Sequence, residues 1–319
     1  MTTPDKRDLI AASDIVYQYM MPSAQLLWPL LNERCGCEVV VKHENHNPTG
    51  AFKVRGGLVY VHNLRTIEPH ATGIVTATRG NHGQSVAYAA SRHGLSSTIV
   101  VPEGNNPEKN LAIQALGAEL VVHGKDFDEA IPHTELLSKK YGLHRIPSFH
   151  HDLVAGVGTY AMELLTGHPD LKRVYVPIGL GSGICGMICA RNALQLNTEI
   201  VGVVSVNADS YARSFAAGHV VETATANTLA DGIAVRVPSP EALSLIAANV
   251  SRIVAVTDDE VLEAIKIYFS DTHNLAEGAG AAPLAALLSE KELNRGEKIG
   301  LVLSGGNINR ELYLRALNS

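Results

Sequence analysis

One lysine stands where its neighbours could make it reactive. In NPTGAFKVRGG, residues 47–57, a Pro-Thr-Gly turn precedes a helix start and places Lys53 in the first helical turns, flanked by Phe52 and Val54. At its ordinary pKa a lysine is protonated at neutral pH and a poor nucleophile. Desolvation or a nearby cation lowers that pKa and frees the amine to form an imine with an aldehyde. Taken alone, the same letters would also describe a surface lysine beside Arg55.

Two further turns have the composition of anion sites. ATRGNHGQS, residues 77–85, follows a β-branched run and opens a helix, so its backbone N–H groups present a positive helix end. PIGLGSGICG, residues 177–186, is a second strand-to-helix turn whose glycines let N–H groups close around a phosphate. Residues 181–186 also spell the dinucleotide fingerprint, which would suggest an NAD-binding protein. That fingerprint wants an acidic residue at the end of the next strand, whereas this strand runs into Ser205 and Val206 and Asp209 comes late.

The elements that must position these turns alternate regularly. Short β-branched runs predict strands at Glu38 to Lys42, Gly73 to Ala77, Ser97 to Val101, Glu119 to His123, Arg173 to Ile178, Glu199 to Val204, Arg252 to Val256 and Lys298 to Leu303. Helical periodicity fills most gaps between them, which is the rhythm of parallel α/β architecture. A length of 319 residues, 46% of them hydrophobic, suffices for a large core and suggests two domains. The net charge of -6 and the lack of a Lys/Arg block argue against nucleic acid as a partner. The longest apolar stretch, residues 174–190, is broken by Pro177 and glycines, so no membrane partner is expected and a cytoplasmic location fits best. Cys35, Cys37, Cys185 and Cys189 lack zinc-site spacing and read as buried reduced thiols. His43/His46 and His150/His151 lack a third ligand at a recognised spacing, so no metal is expected.

Taken in order, the Lys53 segment, the loop at 77–85, the turn at 177–186, AEGAGAA at 276–282 and LSGGN at 303–307 resemble the fold-type II pyridoxal-phosphate enzymes, the threonine/serine dehydratase and serine racemase group. The resemblance implies a tryptophan synthase β-like fold: two open twisted parallel-sheet α/β domains with the cofactor in the cleft between them. Residues 1–72 plus 151–319 would form the large cofactor-binding domain, and 73–150 a small α/β domain that closes as a lid. It implies pyridoxal 5'-phosphate carried by Lys53, with Phe52 beside it. Gly179, Leu180, Gly181, Ser182 and Gly183 would cup the phosphate, Asn81 would lie against the phenolic oxygen, Glu277 near the cofactor face, and Ser304 at the pyridine nitrogen. Thr78, Arg79, Gly80, Asn81 and His82 would receive the substrate α-carboxylate, with His82 as structural support. AGVGT at 155–159 resembles the turn where the chain re-enters the large domain. The family's dehydratases usually carry a tetraglycine run where this chain has Leu180 and Ser182.

The activity so implied is dehydrative deamination of a β-hydroxy amino acid of the threonine, serine or hydroxyaspartate type to a 2-oxo acid and ammonia. Lys53 would take the α-proton, and a neutral Ser304 at the ring nitrogen favours β-elimination over transamination. Racemisation or another β-elimination or replacement is the alternative, and a non-catalytic pyridoxal-phosphate- or NAD-binding protein a further one. Relatives that racemise carry a serine proton shuttle where this chain has Arg79, which stays protonated and transfers protons poorly. Arg79 could instead read a side-chain carboxylate, selecting hydroxyaspartate. Where serine racemase binds a divalent cation through a Glu-Pro segment, this chain has Ser205 and Val206. A homodimer is implied by the family.

Overall fold

The computed structural model describes residues 2–319, apart from the side chain of Asp128. The strands among them are β1 Gln25–Leu27, β2 Glu38–His43, β3 Gly73–Ala77, β4 Ser96–Val101, β5 Glu119–Val122, β6 His144–Arg145, β7 Arg173–Pro177, β8 Glu199–Ser205, β9 Arg252–Val256 and β10 Lys298–Leu303. They build two sheets, ordered β1-β2-β10-β7-β8-β9 and β5-β4-β3-β6. All pairings are parallel except β1 with β2. The fold is therefore α/β, as the sequence pattern predicts, with an antiparallel edge strand added. The two strands missing from the sequence reading are the short ones: β1 is three residues with little burial and β6 only two, too few to display a period.

Continuous Val/Ile runs make these strands because both faces of the sheets are covered by helices. On the larger sheet, alternate residues point to opposite faces. Val39, Val41, Ile299, Leu301 and Leu303 pack with helices Asp258–Thr272 and Gly278–Ser289, while Val40, Val174, Val176 and Val302 pack with helices His151–Gly167 and Ser182–Ala193. Among the described residues no helix is long and apolar enough to cross a membrane.

The segment at 155–159 corrects the sequence reading: it lies inside helix His151–Gly167 and is not a turn. Its glycines serve close packing instead. A Cβ on Gly156 would stand 2.4 Å from the Arg55 carbonyl oxygen, and one on Gly186 would stand 2.8 Å from the Gly158 nitrogen. The helix that begins at Lys53 is thus pressed backbone to backbone against its neighbour.

Candidate active site

Strands β2, β10 and β7 are adjacent and parallel, so their carboxyl ends open at one edge of the sheet, where ligands bind in open α/β folds. The segments that leave those ends carry Lys53, Ser304 and the turn at 179–183. They touch. The Phe52 amide donates to the Ser304 carbonyl oxygen at 3.0 Å, Ala51 forms a β-bridge with Gly305, and the Phe52 ring lies 3.5 Å from where a Gly183 Cβ would be. From the second sheet, β3 delivers the loop at 78–82 to the same place. A cavity of about 400 Å³ is lined by Lys53, Thr78, Arg79, Gly80, Asn81 and His82, among others.

Lys53 is the first residue of helix Lys53–Ile67 and is partly exposed, as a cavity-lining side chain must be. Its Nζ lies 4.9 Å from the centre of the Phe52 ring and, among the described residues, has no hydrogen-bond partner. Burial brings its pKa down from 10.5 to about 8, opposed by the negative charge of Glu277. Thr78 is buried, and its Oγ1 accepts from the amides of Gly80 (2.9 Å) and Gly83 (3.2 Å), which fixes the turn into helix Asn81–Arg92. The first amides of that helix have no intrahelical acceptor, and those of Asn81 and His82, not engaged by Thr78, are suited to an anion. Burial, with help from Lys53, lowers the His82 pKa to about 3, so the ring is neutral; its Nε2 pairs with Thr76 Oγ1 at 3.2 Å.

In the turn at 179–183 the carbonyl groups are drawn away from the site. Tyr211 donates to the Leu180 oxygen at 3.0 Å, Tyr160 to the Gly183 oxygen at 2.9 Å, and the Cys185 amide to the Gly181 oxygen at 2.9 Å. Gly181 has φ +106°, and a Cβ there would meet Ala242 Cβ at 2.6 Å, so only glycine suits. With those oxygens engaged, the amides at the start of helix Ser182–Ala193 are left for an anion. Ser182 and Ser304 are buried residues, and their hydroxyls have no hydrogen-bond partner among the described residues. Of the five turn residues only Leu180 lines the main cavity, where Phe52 and Ser304 also take no part of the wall.

Glu277 lines an adjoining cavity of about 440 Å³ and is buried. It accepts from Asn81 Nδ2 at 2.5 Å and from Lys109 Nζ at 3.2 Å, and Asn307 Nδ2 donates to Asn81 Oδ1 at 2.9 Å. Burial, reinforced by Asp231, pushes the Glu277 carboxyl above its usual range against the pull of Lys109. Lys109 also donates to Asp231 at 2.7 Å; burial disfavours its charge, but the two carboxylates outweigh that and hold its pKa above the ordinary value. Lys109, Asp231 and Asn307 are site residues to which the sequence reading gave no role. Asn307 lies in a segment that reading singled out, whereas Lys109 and Asp231 carry no motif.

Beneath the lysine helix lies a charge network. Arg55, Glu44 and Lys42 are fully buried and Glu163 nearly so. Arg55 pairs with Glu44 at 2.7 Å and with Glu163 at 2.6 Å, and Lys42 pairs with Glu163. Two positive and two negative groups cancel, which is what permits their burial.

A desolvated lysine, an N–H-rich turn and unpaired hydroxyls, gathered between two sheets, form a donor set that fits a phosphorylated aldehyde. A family model described as pyridoxal-phosphate dependent enzyme matches residues 22–305, and the chain belongs to this family. The L-threonine ammonia-lyase of Geobacter sulfurreducens is 39% identical over 281 residues, covering 87% of this chain and 69% of the relative. The L-threo-3-hydroxyaspartate ammonia-lyase of Saccharomyces cerevisiae is 30% identical over 314 residues, covering 98% and 96%. The solved structure of the processed form of threonine deaminase isoform 2 from Solanum lycopersicum superimposes with a TM-score of 0.90 at 31% identity, over 99% of this chain and 94% of that one.

Proposed function

We propose that the protein is an ammonia-lyase that converts a small β-hydroxy amino acid of the threonine, serine or 3-hydroxyaspartate type to its 2-oxo acid and ammonia. The observation that carries this reading is the desolvated, unpaired Lys53 amine sharing one cavity with the anion-binding helix start at Thr78 to His82. The activities named for the Geobacter and yeast relatives support it. When bound, pyridoxal phosphate supplies an electron sink that acidifies the Cα–H bond of an amino acid. The residues suited to hold it are Lys53 through its amine, the turn Gly179, Leu180, Gly181, Ser182 and Gly183 through N–H groups at the phosphate, Ser304 at the ring nitrogen and Asn81 at the phenolic oxygen. Phe52 packs behind Lys53, and Glu277 fixes Asn81.

Within this reading the helix-start amides, held in place by Thr78, bind the α-carboxylate. Lys53, neutral in a useful fraction near pH 7, takes the α-proton. The β-hydroxyl leaves as water, and the released enamine tautomerises and is hydrolysed, so the water lost is regained and the net products are 2-oxo acid and ammonia. An arginine side chain, as at Arg79, is a poor proton shuttle, which disfavours racemisation.

Three finer points belong to the same proposal. Residues 73–150 act as a lid on the rest, bridged to it by Lys109 with Asp231 and by Asp126 with Arg236 at 3.5 Å. A homodimer is supported by Met21, Leu26, Leu27 and Leu30, exposed apolar residues on and beside the edge strand β1. A reducing, cytoplasmic setting is supported by four cysteines that are buried and unpaired. The test of the main reading is a substrate panel of serine, threonine and 3-hydroxyaspartate stereoisomers assayed for 2-oxo acid and ammonia. Lys53→Ala should lose both turnover and the cofactor's visible band. A wild-type protein with cofactor bound that releases ammonia from none of these amino acids would sink the reading.

A further inference from the structure

We infer that Arg79 is the receptor for a second carboxylate on the substrate, so that the site selects β-hydroxy amino dicarboxylates, the 3-hydroxyaspartate skeleton, over threonine and serine. The inference rests on the lyase reading for its reaction but not for the binding it requires.

The turn that carries Arg79 is rigid: the amides of Gly80 and Gly83, on its C-terminal side, both donate to the hydroxyl of Thr78 just before it. From that turn the Arg79 side chain lines both the Lys53 cavity and the adjoining one. The other guanidinium and ammonium groups on the wall of the Lys53 cavity, apart from Lys53 itself, have acidic partners. Lys109 is held by Asp231 at 2.7 Å and Glu277 at 3.2 Å, and Arg236 pairs with Asp126 at 3.5 Å. Arg79, among the described residues, pairs with no carboxylate.

Its charge is also not needed elsewhere in the site. The α-carboxylate of a substrate is met by the amides that open helix Asn81–Arg92. The charged group acting on the Lys53 amine is Glu277. That leaves one planar guanidinium fork in the wall of the Lys53 cavity, two residues from the Asn81 amide, with no carboxylate partner among the described residues. The ligand such a fork matches is a carboxylate, taken in bidentate fashion at the far end of a molecule whose near carboxylate occupies the helix start.

The experiment pairs binding with turnover in the cofactor-loaded protein. Succinate and butyrate have four carbons each and differ by one carboxylate; their binding is measured by titration calorimetry. Succinate should bind at least about tenfold tighter than butyrate, and Arg79→Ser should abolish that difference, a charge-assisted hydrogen bond being worth about 10- to 100-fold. The ratio of kcat/KM for L-threo-3-hydroxyaspartate to that for L-threonine should fall by a similar factor. Arg79→Lys, which keeps the charge and loses the fork, should fall between, and it carries the test should the serine variant not fold. Turnover of hydroxy amino acids with an unchanged ratio, and equal affinities for succinate and butyrate, would overturn the inference while leaving the lyase reading intact. Succinate binding that depends on Arg79 in a protein that turns over no hydroxy amino acid would do the reverse.

Discussion

On the proposed role of Lys53, its lowered pKa sets the pH at which the chain captures pyridoxal phosphate. Only the neutral amine attacks an aldehyde, so the capture rate follows the deprotonated fraction. With a pKa of about 8, about one Lys53 in ten is neutral at pH 7, against about three in ten thousand for a lysine at 10.5, a gain of roughly 300-fold. The perturbation is pH itself, applied to protein stripped of cofactor with hydroxylamine. The assay is stopped-flow growth of the visible band on mixing with pyridoxal phosphate, normalised to Nα-acetyl-lysine amide in the same buffers. The observed rate should climb about tenfold per pH unit up to about pH 8 and then level off, so that its ratio to the rate of the reference amine is constant below pH 8 and falls above it. Glu277→Gln removes a charge that opposes the shift, so its inflection should move below that of the wild type. The same shift has a thermodynamic sign. Because the unfolded chain holds this proton more tightly, it binds more protons than the folded chain between pH 8 and 10.5, and this residue's contribution to the stability of the cofactor-free protein rises with pH across that window. A rate that keeps climbing through pH 10 would refute the reasoning, because it would mean that the amine is solvated like any surface lysine.

Glu163→Gln leaves Lys42 and Arg55 sharing Glu44 alone in the interior, which should cost about 3–5 kcal/mol. Differential scanning calorimetry should show a fall of several degrees in Tm, and a change within error would mean the network is not dry. Gly156→Ala places a methyl 2.4 Å from the Arg55 carbonyl oxygen, so the lysine helix must shift, at a cost of about 1–3 kcal/mol. Chemical denaturation should register that loss, and cofactor affinity should weaken with it because Lys53 rides on the displaced helix.

What could be read from the sequence was whatever depended on local pattern. Strands β2, β3, β4, β5, β7, β8, β9 and β10 announce themselves by β-branched runs, and each falls within a residue of its expected ends. The turns around Lys53, Asn81, Gly181 and Ser304 were legible because a strand must end before each and a helix or bridge must begin after it. Lys109 and Asp231 were not legible. Lys109 is an ordinary position in helix Pro107–Ala115, and Asp231 opens a single turn of 3-10 helix; only the tertiary fold joins these two elements, 122 residues apart in sequence. Gly156 and Gly158 misled for a different reason. Glycine serves sharp turns and close helix contacts equally, and nothing in the local letters separates the two uses.

The place of β10 also governs how the protein is made. Residues 298–303 insert between two strands synthesised long before, and they complete the edge on which the lysine segment and the glycine turn rest. A chain still emerging from the ribosome therefore has a gap in the middle of its larger sheet until this strand is out, and the carbonyl of Ser304 that receives the Phe52 amide does not yet exist. Translation errors that stop synthesis before residue 298 yield a product with exposed strand edges and an incomplete form of the proposed cofactor site, material for proteases and chaperones. On the proposed cofactor site, loading would thus report that synthesis has passed residue 303.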